Sequence, residues 1–246
     1  LRDNRKGELF FSLCNIMQGE VEMKIHFVTE GSLDEYWQTG GAAPCDVLVF
    51  GFNGLGEVDY GSELGGVTSK LEDAAILSRE KKCVVVSGCY TDSCGIKRKS
   101  AAVAERGRIL GVSDMLSAVD SSEFKSGGTL RVYETGAGKL GLLIAEDVYF
   151  PEISETLSLC DADVLIGIFG EIEDFVPQLM MRASAFVSGV PIVMCAAGIA
   201  LAAERTGEMA MTSPKKESDY VLTPEREYHI VSGRRRGFYK KSRNDF

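Results

Sequence analysis

No run of 18 consecutive apolar residues occurs in this chain, so no helix-type membrane span is expected. A basic field is missing too: 27 Lys and Arg stand against 36 Asp and Glu, giving a net charge of −9 and a pI near 4.9. That balance argues against nonspecific binding of nucleic acid, which needs positive charge to displace counterions. The one basic run, Arg234-Arg235-Arg236 with Lys240, Lys241 and Arg243, reads as a solvated tail, the other reading being an anion or partner contact. The glycine-rich stretch 51–66 has neither a Gly-Lys-Ser/Thr phosphate loop nor a dinucleotide fingerprint, so phosphate cradling is not expected there. Zinc-type cysteine spacing is absent: Cys89 and Cys94 form a C-x4-C pair without a second ligand pair. No metal or other cofactor is expected. Seven cysteines, an odd number without a signal-peptide pattern, point to reduced thiols in a cytoplasmic protein.

What is present is ordinary globular material. The 246 residues are 45% hydrophobic and 26% charged, enough for a sizeable core and suited to one α/β domain over 1–246. Continuous apolar runs at 46–50, 83–90, 140–144, 162–170 and 191–198 read as strands buried on both faces. Helical patterns fall at 69–80, 151–160 and 173–188, the last stopping at Gly189. Residues 8–16 read as a first strand. Residues 18–38 are ambiguous, because Val21, Ile25 and Val28 recur at helical spacing while Met23, Ile25 and Phe27 alternate. Acidic Glu20 and Glu22 in a first turn favour the helix. His26, beside Phe27, reads as structural. Residues 91–99 read as a polar loop, 100–116 as an antiparallel hairpin about Arg106-Gly107, and 129–135 as a strand. Within 208–232, GEMAMTS and EYHIVSG read as short strands flanking a charged turn. Strands of both kinds alternating with helices indicate an α/β or layered α+β fold with mixed sheets.

The chemistry gathers around GKLGLLIAEDVYFPE, residues 138–152. An apolar strand ends at Ala145-Glu146-Asp147, and Phe150-Pro151-Glu152 opens a helix with proline at its first position. Such a corner commonly displays a nucleophile, because following backbone N–H groups converge on the exposed side chain. Here the corner residue is Ala145, whose methyl group does no chemistry.

This stretch resembles the signature of the nitrilase, or carbon-nitrogen hydrolase, superfamily: a glycine-hydrophobic strand, Cys-x-Asp, then Phe-Pro-Glu. Ala162-Asp163 before the next strand, the segment RASAFVSGVPIVMCAAG from Arg182, and the hairpin strand GRILGVSDML add to the resemblance, which covers about residues 8–240. It implies a four-layer αββα sandwich, a dimer, and hydrolysis of nonpeptide C–N bonds by a Glu-Lys-Cys triad. In that triad the glutamate is general base, the lysine stabilises the oxyanion and the cysteine attacks. Carried over position by position, the glutamate falls at Phe52, the lysine at Met115 and the nucleophile at Ala145. Glu57, Glu123 and Glu146 are carboxylates in the same neighbourhood, and Glu123 matches a supporting glutamate of the family.

The resemblance therefore implies a catalytically inactive member that binds a partner protein, its own copy or a small ligand. One alternative is an amide or nitrile hydrolase with a relocated nucleophile, Cys89 or Cys195, both of which also read as small buried hydrophobes. Another is an engineered Cys-to-Ala hydrolase, which leaves Phe52 and Met115 unexplained. A shift in register at Met115 would instead bring Lys97, Lys99 or Lys125 into the cavity.

Overall fold

The computed structural model describes residues 22–39, 44–119 and 123–224. The expected strand at 8–16, the EYHIVSG strand and the basic tail lie outside them. Two mixed sheets face one another. The first has the order β13 (Glu217–Leu222), β1 (Met23–Val28), β2 (Val47–Phe50), β4 (Val84–Ser93), β5 (Ile96–Glu105), β6 (Arg108–Asp114), with β3 (Gly56–Asp59) pairing β4. The second runs β12 (Met209–Ser213), β11 (Ile199–Ala203), β10 (Ile192–Ala196), β9 (Val164–Ile168), β8 (Gly138–Ile144), β7 (Val132–Thr135).

Alternation along the central strands builds three cores. Val47, Val49, Val84 and Val86 meet Leu142, Ile166 and Val193 between the sheets. The intervening Leu48, Phe50 and Val85 point outward to α1 (Leu33–Gln38) and α3 (Lys70–Lys81), through Tyr36, Ala74 and Leu77. Leu143, Leu165 and Met194 point the other way, to α4 (Pro151–Leu159) and α5 (Val176–Ser188). The result is a layered helix–sheet–sheet–helix sandwich. β2, β9 and β10 are apolar on every residue because both of their faces are covered.

Several local expectations are corrected. Residues 23–28 are a strand, not the favoured helix: Met23, Ile25 and Phe27 enter the inter-sheet core, and Val28 the outer one. The helix starts only at Leu33, after Gly31 at φ +99° and a capping box in which Ser32 Oγ accepts from Glu35 N–H. His26 is buried, with Nδ1 2.7 Å from Asp219 Oδ1 across the β1–β13 pair. The glycine-rich stretch contains β3 and the short helix α2 (Tyr60–Leu64) rather than loop alone. Residues 91–99 are not a polar loop. β4 and β5 continue through them as paired strands, their polar character reflecting the solvent-exposed end of the hairpin around residues 94–97. In the C-terminal part, β13 occupies 217–222, inside the stretch expected to be a charged turn, because alternate residues such as Asp219 and Val221 face solvent on an edge strand. The strand β11 carries no expectation from its sequence pattern.

Candidate functional site

β8 ends at Ile144, and Ala145 takes φ +49°, a left-handed conformation costing an L-residue roughly 1–2 kcal/mol. A 3-10 turn, Ala145–Tyr149, follows, and α4 then starts with Pro151 in its first turn. The corner is held from within by Asp147, which is 2% exposed. Its Oδ1 accepts from Leu116 N–H at 3.0 Å and Ser117 N–H at 2.9 Å, and its Oδ2 from Ile144 N–H at 3.4 Å. Burial nevertheless pushes this carboxyl up to about 6, against the lowering effect of those bonds. Asp147 thereby ties the second sheet's corner to the segment that leaves β6 of the first sheet.

The other two expected positions reach the same core. Met115, just beyond β6, is 1% exposed; its N–H donates to Lys99 C=O at 2.8 Å, and its own C=O accepts from Gly127 N–H at 2.7 Å. Phe52 sits in the turn after β2. The close approach of that turn to β4 requires glycine at position 88: a Cβ there would lie 2.9 Å from Phe52 Cα and 2.6 Å from an Ile168 methyl. Phe52, Met115 and Ala145 all belong to the apolar cluster between the sheets.

Around them lie Tyr90 and Phe124, which the sequence pattern did not single out, and Lys99, which it named only under a shifted register. Tyr90 stacks on Phe52 with centroids 5.0 Å apart, and Phe124 leans on Tyr90 at 5.6 Å. Lys99, opposite Tyr90 in the β4–β5 ladder, places its ammonium 5.5 Å from the Phe124 ring centre and 2.6 Å from Glu146 Oε1. Reading the alternation Val84, Val86, Gly88 onward would have found Tyr90, and the polar-loop reading of 91–99 concealed its pairing with Lys99. The carboxylates separate. Glu146 adjoins the corner and pairs with Lys99, whereas Glu57 and Glu123 are exposed on the wall of a cavity of about 350 Å3 that also holds Tyr90 and Phe124. Lys97 lies 3.5 Å from Glu123, and Lys125 is exposed on the adjoining loop. A second cavity, about 190 Å3, opens on the other side of Tyr90 against Phe52, Phe169 and Glu171.

Neither cysteine candidate sits in reactive surroundings. Cys89 is fully buried, and desolvation pushes its thiol up to about 12. Cys195 is fully buried, with Sγ 3.5 Å from Val28 C=O, and burial pushes its thiol up strongly. Thiolates form where positive charge or helix N-termini favour them, not at such positions. Among the described residues, no group of three or more His, Cys, Asp or Glu is placed to hold a metal ion, and no helix is long and apolar enough to cross a membrane.

Two facing sheets with outer helices, and a strained strand-to-helix corner between them, define a carbon-nitrogen hydrolase fold. Residues 55–224, more than half of the chain, match the family model described as carbon-nitrogen hydrolase, and the chain belongs to that family. It is similar to a probable nitrilase of Schizosaccharomyces pombe, 30% identical over 95 residues, which are 37% of this chain and 35% of the relative. The chain thus spans about a third of the length of this curated relative in the match. Among solved structures it is similar to a carbon-nitrogen hydrolase from Helicobacter pylori G27, with a TM-score of 0.73 and 17% identity over 89% of this chain and 97% of the other. An amidase of the nitrilase superfamily from Nesterenkonia AN1, in a mutant form, gives a TM-score of 0.69 and 16% identity over 88% and 95%. At such identities the likeness concerns the fold.

Proposed function

We propose that this chain is a catalytically inactive carbon-nitrogen-hydrolase domain that acts by binding. One observation carries the reading: Phe52, Met115 and Ala145, the three positions that the family resemblance assigns to base, cation and nucleophile, lie together in one buried apolar cluster. A glutamate or lysine left there without its partners would be an unpaired buried charge, whereas phenyl, thioether and methyl groups pack. Removing one member of a catalytic unit costs on the order of 10^4 to 10^6 in rate, and loss of all three leaves the family mechanism no route. Lys99 and Glu146 pair beside a corner whose own residue is Ala145, and the burial of Cys89 and Cys195 weighs against a relocated nucleophile among the described residues.

The cavities flanking Tyr90 are the small-ligand face of this proposal. Self-association is its protein face. Phe175, Leu179 and Phe186 share one side of α5 and are exposed, with Leu159 exposed at the end of the neighbouring α4. A second copy covering them would remove that apolar surface from water. The test is purified protein incubated with a broad panel of amides, nitriles and carbamoyl compounds, with released ammonia measured. No turnover above buffer is expected. Robust hydrolysis that one point substitution abolishes would overturn the proposal.

A further inference from the structure

Far from that corner, two cysteines meet at the opposite ends of β2 and β4. Cys45 lies two residues before β2 and Cys83 one residue before β4. The two strands are parallel neighbours with Val47 opposite Val84, and Val84 N–H donates to Asp46 C=O at 2.9 Å. That register sets Cys83 opposite Asp46, so Cys45 lies one residue off, diagonally across one inter-strand gap. With strands about 4.8 Å apart and a rise of about 3.3 Å per residue, such a diagonal is roughly 6 Å, within the roughly 4.4–6.8 Å that a disulfide spans between Cα atoms. Cys45 packs against the outer apolar cluster to which Cys83 belongs.

The two thiols are unequal. Cys45 is half-buried and Cys83 only 5% exposed. Cys83 donating to Cys45 holds the Cys45 thiol below its ordinary range, helped by the nearby Lys81 charge and opposed by burial, Asp219 and Asp46. The same bond, together with burial, pushes Cys83 up. Solvent reaches Cys83 through a cavity of about 370 Å3 whose wall carries Arg79, Lys82 and Arg106. An accessible, activated thiol beside a buried partner is the arrangement in which a first thiol is oxidised and a second resolves it.

We propose that Cys45 and Cys83 are a redox modification site, oxidised by hydrogen peroxide to a reversible disulfide. The Cys45 thiolate attacks one peroxide oxygen; the S–O bond forms, the O–O bond breaks, and the leaving hydroxide takes a proton to become water. Cys83 then gives up its proton and attacks Sγ of Cys45. The S–S bond forms, the S–O bond breaks, and a second water leaves. Two thiols and one peroxide yield one disulfide and two waters.

The test uses the full native chain, reduced, desalted and exposed to one equivalent of hydrogen peroxide, then digested and mapped by mass spectrometry. The exposed Cys94 and Cys160 serve as internal comparators. A Cys45–Cys83 linked peptide is expected to accumulate at least ~10-fold faster than oxidation of either comparator, and to vanish on treatment with dithiothreitol. In the Cys83→Ser variant, a sulfenic acid is expected to persist at Cys45 and be captured by dimedone. Oxidation of Cys94 or Cys160 ahead of Cys45, or linkage of Cys45 to any other cysteine, overturns the proposal. The mapping on the unsubstituted chain decides the matter even if Cys83→Ser folds poorly.

Discussion

Replacing Asp147 by alanine removes the acceptor for three buried backbone donors. Two of its bonds, from Leu116 and Ser117, are short at 3.0 and 2.9 Å, and the third, from Ile144, is long at 3.4 Å. A buried donor left unpaired costs roughly 1–3 kcal/mol, so two full losses and a partial one give an expected destabilisation of about 3–5 kcal/mol. Asp147→Asn is different, because the amide oxygen still accepts from Leu116 and Ser117, and its cost at neutral pH should stay below roughly 1.5 kcal/mol. The two proteins also separate with pH. The folded carboxyl is pushed up to about 6 from an ordinary value of 3.8. Its neutral form is therefore favoured in the folded state; that contribution is complete below about pH 4 and is lost as pH rises through 6. About two units at about 1.4 kcal/mol each amount to roughly 3 kcal/mol. Relative to Asp147→Asn, which does not titrate, the native chain should gain up to that amount between pH 7 and pH 4. Urea unfolding followed by circular dichroism and by the fluorescence of Trp37, the single tryptophan, measures both effects. A difference that stays flat with pH, or grows in favour of the asparagine variant, would refute the assignment of burial as the dominant influence. An alanine cost under ~1 kcal/mol would refute the structural role of Asp147.

Two further expectations concern the candidate site. Gly88→Ala forces a methyl against Phe52 Cα and Ile168, so a loss of about 1–3 kcal/mol is expected in urea unfolding, with a changed Phe52–Tyr90 environment in near-ultraviolet circular dichroism. Ala145→Cys restores only the thiol. Ammonia release from the amide and nitrile panel should stay at the level of the unsubstituted chain, and measurable turnover by this single variant would show that another base and cation serve the corner.

The sequence disclosed the architecture where burial is two-sided. Runs such as Val47–Phe50 and Val164–Ile168 have no alternative to a covered strand, and the Pro151 start and Gly189 stop bound their helices by backbone chemistry. It misled where one face is wet or the partner is remote. Residues 23–28 carry both periodicities, and only pairing with β2 and β13 decides between them. Residues 91–99 look like a loop because their ladder partners, not their side chains, make them a strand. At the candidate site, the family resemblance pointed to Phe52, Met115 and Ala145, all three of which lie in the inter-sheet core. Tyr90 and Phe124 were not, since stacking on Phe52 depends on a β4–β5 register that no local pattern states. Nor was the Cys45–Cys83 contact, which joins residues 38 positions apart through the parallel alignment of two strands.

The bonds that Asp147 makes also bear on how the two sheets stay aligned. Contact between flat apolar faces is non-directional, so an inter-sheet core of valines and leucines resists separation far better than it resists sliding. Hydrogen bonds discriminate displacements of a fraction of an ångström. Asp147 to the segment after β6, Lys99 to Glu146, and Ser113 Oγ to Tyr133 Oη at 2.8 Å all cross from one sheet to the other near the corner end or the β6–β7 edge. Cys195 Sγ to Val28 C=O at 3.5 Å adds a pin in the middle, and Tyr220 Oη to Glu204 Oε1 one at the border where β12 and β13 lie, so a few polar pins set the offset of the sandwich. Small shear motions of one sheet over the other are therefore opposed at both borders and in the middle, and loss of any one pin should loosen the register only locally.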